Sequence, residues 1–171
     1  MASRDDVAQH PTHGAYASGL DRNAANYAPL SPIGFLERAA DIYPQRIAVV
    51  HGPLRWTYAE LRARCRRLAS ALRARGIAPG DTVAVMAPNT PAMLEAHHGV
   101  PIDAATIAFI LEHGEAKALL TDTEFAPVVR EALAQLSRPL LVVDIVDPLH
   151  EGPELHLGET DYETLLSEGY E

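Results

Sequence analysis

Apolar and polar positions recur along this chain with two periods, and each change of period marks an element. From Tyr58 to Arg75 the period is helical. Leu61, Cys65, Leu68 and Leu72 fall three or four apart and define one apolar stripe, while Arg62, Arg66, Arg73 and Arg75 lie away from it. Thr57 and Glu60 have the spacing of a capping box: the Thr57 hydroxyl can accept an amide of the first turn, and Glu60 can accept the Thr57 amide in return. Gly76 can end the helix in a left-handed conformation. Pro79-Gly80-Asp81 then turns the chain into a short strand over 82–86. Upstream, 47–51 reads as a strand, and Gly52-Pro53 turns it into a second short one at Arg55-Trp56.

The same reasoning carries to both ends. Ser31-Pro32 opens a helix, a cap followed by Pro at the first position, with Ile33, Leu36 and Ala40 directed inward. Thr90-Pro91 opens another that runs through His98 and stops at Gly99. Asp103 caps a third, with Ile107, Ile110 and Leu111 on its inner face and Gly114 after it. A strand over 118–121, a helix over 125–136 with Val129, Leu133 and Leu136 inward, a strand over 140–143 and a short helix over 161–167 complete the series. Strands alternating with helices predict an α/β fold, a mostly parallel sheet with helices on both faces. Residues 1–30 are polar, small and turn-rich without a period. They read as a disordered or loosely attached arm, and 31–171 as an incomplete α/β domain.

Composition narrows the function classes. A chain of 171 residues suits one ordinary domain with a real core. From Asp144 onward there are nine acidic residues and no Lys or Arg, so the formal net charge of −9 arises entirely there. An acidic end argues against a nucleic-acid footprint, and the Arg cluster at 62–75 reads as a solvated helix face. The one cysteine, Cys65, sits on the apolar stripe, so no disulfide can close within the chain. No apolar run approaches the roughly 18 residues that cross a bilayer, and the N-terminus lacks the pattern of a signal peptide. The expected location is cytoplasmic.

The run Arg55-Trp56-Thr57-Tyr58-Ala59-Glu60-Leu61, followed by Gly80-Asp81-Thr82-Val83-Ala84-Val85-Met86, resembles the N-terminal part of the AMP-dependent, adenylate-forming acyl-CoA synthetases. The likeness continues through Pro88-Asn89, Leu94-Glu95-Ala96-His97-His98-Gly99-Val100-Pro101, Phe109-Ile110-Leu111-Glu112-His113 and Lys117-Ala118-Leu119-Leu120-Thr121-Asp122. It covers roughly residues 20 to 168 and is nearest in look to fatty-acid and methylmercaptopropionate-type CoA ligases. The resemblance implies a partial N-terminal subdomain of a longer enzyme. That enzyme would activate a carboxylic acid with ATP and Mg to an acyl-adenylate and pass the acyl group to CoA. Relatives carry a turn, a strand and a loop of about a dozen residues between their equivalents of Pro101 and Ile102. Here only Gly99-Val100-Pro101-Ile102 separates two helices, so one internal strand is missing and a distorted or partly re-paired sheet, less stable than that of an intact relative, is expected.

The chemistry that the resemblance implies is not carried by this sequence. No Ser/Thr/Gly-rich loop ends in a lysine, and the single Lys, Lys117, falls on a strand edge. Walker and Gly-x-Gly-x-x-Gly patterns are absent. No catalytic, cofactor-binding or metal-binding residue is therefore assigned, and the chain alone is expected to be inert. His97 and His98 are adjacent on a helix and point about 100° apart, a poor geometry for one metal. Glu95 and His98 share a face but lack the further carboxylates a di-metal site needs. His10 and His13 lie in the arm. Cys65 and Trp56 read as core. Three readings stay open: part of an acyl-CoA synthetase, an interaction module completing a split one through its missing C-terminal portion or a complementary chain, and a small-molecule binder of flavodoxin-like form. In the last, Pro88, Asn89 and Thr90 line a crevice at the strand carboxyl ends.

Overall fold

The computed structural model describes Tyr27 and residues 31–99, 111–112, 114–152 and 155–171. Contacts divide the chain into Met1–Leu30 and Ser31–Glu171, and every described helix and strand belongs to the second unit. The arm expected over 1–30 lies, Tyr27 apart, outside the described residues, as do Asp103, Ile107 and Ile110.

Helix α1 (Pro32–Ile42) begins as its sequence requires: the Ser31 hydroxyl accepts the Gly34 amide at 3.1 Å, and Pro occupies the first turn. Leu36 and Ala40 are buried, but Ile33 is half exposed, against expectation. Strands β1 (Ile47–His51) and β2 (Leu54–Thr57) pair antiparallel as a separate two-stranded sheet, with an irregularity between Ile47 and Val49. Helix α2 (Tyr58–Ala74) carries the full capping box. Glu60 N–H donates to Thr57 Oγ1 at 3.2 Å, and Thr57 N–H donates to Glu60 Oε2 at 2.7 Å. At its end Gly76 has φ +87°, Ile77 N–H reaches Leu72 O and Gly76 N–H reaches Arg73 O, a Schellman closure.

Strand β3 (Val83–Met86) leads to α3 (Pro91–Gly99). Strand β4 (Ala118–Asp122) passes through a 3₁₀ turn (Thr123–Phe125) into α4 (Ala126–Leu133), shorter than the expected 125–136. Strand β5 (Leu141–Ile145), a two-residue β6 (Thr160–Asp161) and α5 (Tyr162–Glu168) complete the described body. The second sheet is parallel in the order β3-β4-β5-β6. Its register is regular: Val83 faces Ala118 and Leu119 faces Val142. The distortion expected around the short 99–102 connection therefore does not reach this ladder, where β3 pairs directly with β4.

Pleating divides the sheet's side chains between two cores. Val83, Ala118, Leu120, Val143 and Ile145 pack with Leu68 and Leu72 of α2 and with Tyr162, Leu165 and Leu166 of α5. Leu119, with Ala84 and Met86, packs on the opposite face against Val129 of α4 and Leu111. A third cluster joins Leu36, Val49, Leu61 and Cys65. Helix α2 thus spans both sheets: its first turns cover the hairpin and its later turns cover the parallel sheet.

Candidate functional site

A cavity of about 270 Å³ opens where the hairpin, α2 and the carboxyl ends of β3 and β5 meet. His51, Leu54 and Trp56 come from the hairpin. Thr90, Pro91 and Ala92 follow β3, and the segment from Ile145 to Pro148 runs off β5. Arg64 of α2 and the first residues of α5 close the remaining side. In open parallel sheets ligands collect at this end, because successive strands there diverge into separate loops.

One wall is an ion-pair network. Glu95 of α3 is fully buried. It accepts Arg64 Nε–H at 2.6 Å and the Tyr162 hydroxyl at 2.9 Å. Arg64 forks its other two nitrogens onto Glu163, at 3.0 and 2.6 Å, and its guanidinium lies 4.1 Å from the centre of the Trp56 ring. Burial raises the Glu95 pKa, although Arg64 and the Tyr162 hydroxyl pull against it. Burial also opposes the Arg64 charge, but its bonds to Glu163 and Glu95 outweigh that and raise its pKa. Burial, then the charge of Glu95, raise Tyr162 well above the usual phenol range. Across the cavity His51 Nε2 and Asp147 Oδ1 pair at 2.9 Å. Burial works to raise Asp147, yet the bonds from His51 and the Leu149 amide prevail and hold it below the ordinary carboxylate value.

Three buried side-chain oxygens have no protein partner among the described residues: Thr90 Oγ1, Asp122 Oδ2 and Thr123 Oγ1. Asp122 ends β4, Thr123 follows it, and Thr90 lies four residues beyond β3. Burial is the main cause of a raised pKa at Asp122, reinforced by Asp147 and Glu124 and opposed by the bond from the Glu124 amide.

Of the residues singled out from sequence, Thr90 lines this cavity and Asn89 and Thr90 line a wider groove beside it; Pro88 borders neither. Trp56 is a cavity wall as well as a packing residue. His97 and His98 each bond a carbonyl of their own helix, at Met93 and Leu94, and do not converge. Glu95 is engaged by Arg64 and Tyr162 rather than by His98. Cys65 is buried, with its pKa pushed up to about 12 by burial first and then by Glu95. His10 and His13 lie outside the described residues. Lys117 pairs with Asp81 at 2.9 Å, at the amino end of the sheet and away from the cavity. The Arg face of α2 corrects the reading of a merely solvated surface. Arg62 pairs with Asp41, Arg66 with Glu37, Arg75 with Glu168 and Arg67 with Glu171, so the acidic end of the chain folds back on the basic helix. Sequence reasoning did not find Arg64, Glu95 and Tyr162 as a unit. The available signal was a carboxylate on α3 beside small and apolar neighbours.

A nucleotide triphosphate does not fit this wall. Among the described residues its one guanidinium, Arg64, is bonded to Glu95 and Glu163, and Asp147 and Asp161 add further negative charge. Among the described residues no three metal-ligating side chains gather, and no helix is long and apolar enough to cross a membrane.

Comparison with known proteins places this geometry. Residues 36–166 match the family described as AMP-binding enzyme. An acetate–CoA ligase of Humulus lupulus is 42% identical over 88% of this chain and 30% of its own length. A peroxisomal acetate/butyrate–CoA ligase of Arabidopsis thaliana is 39% identical over the same shares. The crystal structure of an anthranilate CoA ligase in complex with anthranoyl-AMP superposes with a TM-score of 0.70 at 17% identity, covering 87% of this chain and 30% of that one. The chain thus spans about three-tenths of the length of the curated relatives it matches, its fold corresponds to part of the N-terminal region of such ligases, and it belongs to the AMP-binding enzyme family.

Proposed function

We propose that this chain is scaffold for a carboxylate–CoA ligase and does not itself handle the nucleotide. The whole enzyme would join a carboxylic acid to ATP as an acyl-adenylate, release pyrophosphate and transfer the acyl group to CoA. The observation that carries this reading is the conjunction of family membership over 36–166 with a carboxyl-end cavity whose only guanidinium among the described residues is already bonded to two carboxylates. Stabilising a phosphate in transfer requires cations or backbone amides free to meet it. The acid need not be a long fatty acid, since the two plant relatives are named for acetate and butyrate. A buried lone thiol suits a reducing compartment, and the cytoplasm is the proposed one; peroxisomal relatives make that organelle the alternative to test.

The test is ATP–pyrophosphate exchange by the purified chain with acetate, butyrate and longer acids. No acid-dependent exchange is expected; exchange above the no-acid blank refutes the scaffold reading. A second reading, completion of a split ligase, is favoured by an open groove lined by Pro32, Val50, Met93 and Leu94, with Val50 63% exposed. Affinity purification should then recover a chain bearing the missing phosphate-binding loop, and recovery of none removes this reading.

A further inference from the structure

We infer that the cavity beside Trp56 is a binding site for a small uncharged molecule, largely apolar and carrying one hydrogen-bonding group. This is a separate property from the ligase reaction, and it does not rest on the scaffold reading.

Size sets the first bound. An apolar engineered cavity of about 150 Å³ takes up benzene. The space here is about 270 Å³, enough for a substituted ring of about ten non-hydrogen atoms and near the lower end of ordinary ligand pockets. Polarity sets the second. Leu54, Trp56, Ala92, Ile145, Val146 and Pro148 supply the apolar wall. Every ionic group in the wall is bonded within the protein: His51 to Asp147, Arg64 to Glu95 and Glu163, and Asp161 to the Thr164 amide and hydroxyl. An anion entering would meet Asp147, Asp161 and Glu163 with no free cation among the described residues to offset them. A cation would be drawn by these carboxylates but would leave water for a largely apolar surface and compete with Arg64, His51 and the Thr164 donors for them. Only an uncharged guest escapes both penalties.

Thr90 supplies the third bound and the specificity. It stands at the cap position of α3, where Leu94 N–H donates to its carbonyl. A Thr at such a position ordinarily accepts an amide of the first turn through its hydroxyl. Here Oγ1 makes no such bond and has no protein partner among the described residues, although Thr90 is only 7% exposed. A buried hydroxyl left in this state is costly; Oγ1 is itself sealed from solvent, so a guest able to donate to it or accept from it relieves the cost once the Thr90 side chain rotates toward the cavity that it lines. Thr90 lines both the cavity and the wider groove, as do His51 and Pro91.

The chain reports on the site by itself, because Trp56 is its single tryptophan. The probes are benzyl alcohol, benzoate and benzylammonium, titrated into the purified 171-residue chain while Trp56 emission is followed. Benzyl alcohol should give a saturable change with a Kd on the order of 1 mM, as befits so small a ligand. Benzoate and benzylammonium should bind at least about tenfold more weakly. Thr90→Val, which keeps the shape and removes the hydroxyl, should weaken benzyl alcohol by about three- to tenfold. Val146→Phe, at the exposed mouth, should abolish the change with the circular dichroism spectrum unaltered. Should either variant fail to fold, methyl spectra of the parent chain decide: shifts on adding benzyl alcohol must centre on Leu54, Ile145 and Val146. No saturation, equal binding of benzoate, undiminished binding in Thr90→Val or Val146→Phe, or methyl shifts centred elsewhere each overturn the inference. The exchange assay is untouched by any of these results.

Discussion

Replacing Glu95 by alanine tests the cavity wall most directly. The carboxylate is fully buried and holds α2, α3 and α5 through Arg64 and Tyr162. Removing one partner of a buried ion pair costs about 3–5 kcal/mol. Arg64 keeps its fork onto Glu163, which favours the lower half of that range. The Tyr162 hydroxyl, however, loses its acceptor in a buried place, a cost of about 1–3 kcal/mol. The two losses overlap, so Glu95→Ala should lose about 3–5 kcal/mol in all. In a domain of typical stability, about 5–15 kcal/mol, that is a large share, and the midpoint should fall by roughly 10 °C for a chain of this size. Glu95→Gln gives up the charge but keeps an acceptor for Arg64 or the Tyr162 hydroxyl, so it should lose less than Glu95→Ala, about 1–3 kcal/mol. Arg64→Met with Glu95→Met removes both charges together and should recover much of the loss of either single variant. The assay is urea unfolding followed by Trp56 fluorescence, with constant m-value as the check that ΔG alone has moved. A Glu95→Ala chain within about 1 kcal/mol of the parent, well below the range for a broken buried pair, refutes this account. So does a double variant whose loss equals the sum of the singles.

Three further outcomes are expected. Thr57→Ala removes the capping box of α2 and should cost about 1 kcal/mol by the same unfolding assay. Cys65, 5% exposed and with its pKa pushed up to about 12, should react with a disulfide reagent at pH 8 at least about a hundredfold more slowly than in urea; comparable rates would show the helix stripe is open. The Thr164 hydroxyl and then its amide hold the Asp161 pKa below the ordinary carboxylate value. A carboxylate depressed in the folded state adds stability above its unfolded value, about 3.9, and loses it as pH falls through the folded value. Unfolding free energies measured from pH 5 down to 3 should therefore fall less steeply in Asp161→Asn than in the parent, and an unchanged slope would remove this assignment.

What was legible in the sequence is what short separations decide. The cap at Thr57, the stripe Leu61–Cys65–Leu68–Leu72 and the closure at Gly76 all lie within one helix, where spacing alone sets direction. The regular alternation of strand and helix pointed to the parallel sheet for the same reason. The hairpin's independence from that sheet was not legible, because nothing in its residues says which partner it will take. Nor was β6, whose two residues join β5 only because Asp144 gathers the Leu157 and Gly158 amides just before it. The network was hidden by distance: Arg64 lies 31 residues from Glu95 and 99 from Glu163. The acidic end reads as surplus charge until the fold lays it along α2, where it meets Arg67 and Arg75. Such exposed pairs are worth at most about 1 kcal/mol each, so they settle where the end of the chain lies more than how stable it is.

The length of α2 explains why a cavity forms where it does. Leu61 and Cys65 face the hairpin cluster and Leu68 and Leu72 face the parallel sheet, so one rigid helix must serve two sheets that do not pair with each other. Arg64 falls in the turn that covers the hairpin, and its guanidinium reaches from there to α3 and α5. At the seam between the sheets no strand ladder supplies hydrogen bonds, and the network of Arg64, Glu95, Glu163 and Tyr162 supplies them instead. The seam is held by side chains on one wall and left open on the other, and that opening is the cavity. Stability and binding should therefore part in a defined way. Glu95→Ala loosens the wall itself, so it should weaken both folding and the uptake of benzyl alcohol. Val146→Phe blocks the mouth without touching the network, so it should remove uptake and leave the unfolding free energy within about 0.5 kcal/mol of the parent, as for a surface change. If both variants lower stability and binding in the same proportion, the wall and the mouth are not separable, and the seam is simply part of the core.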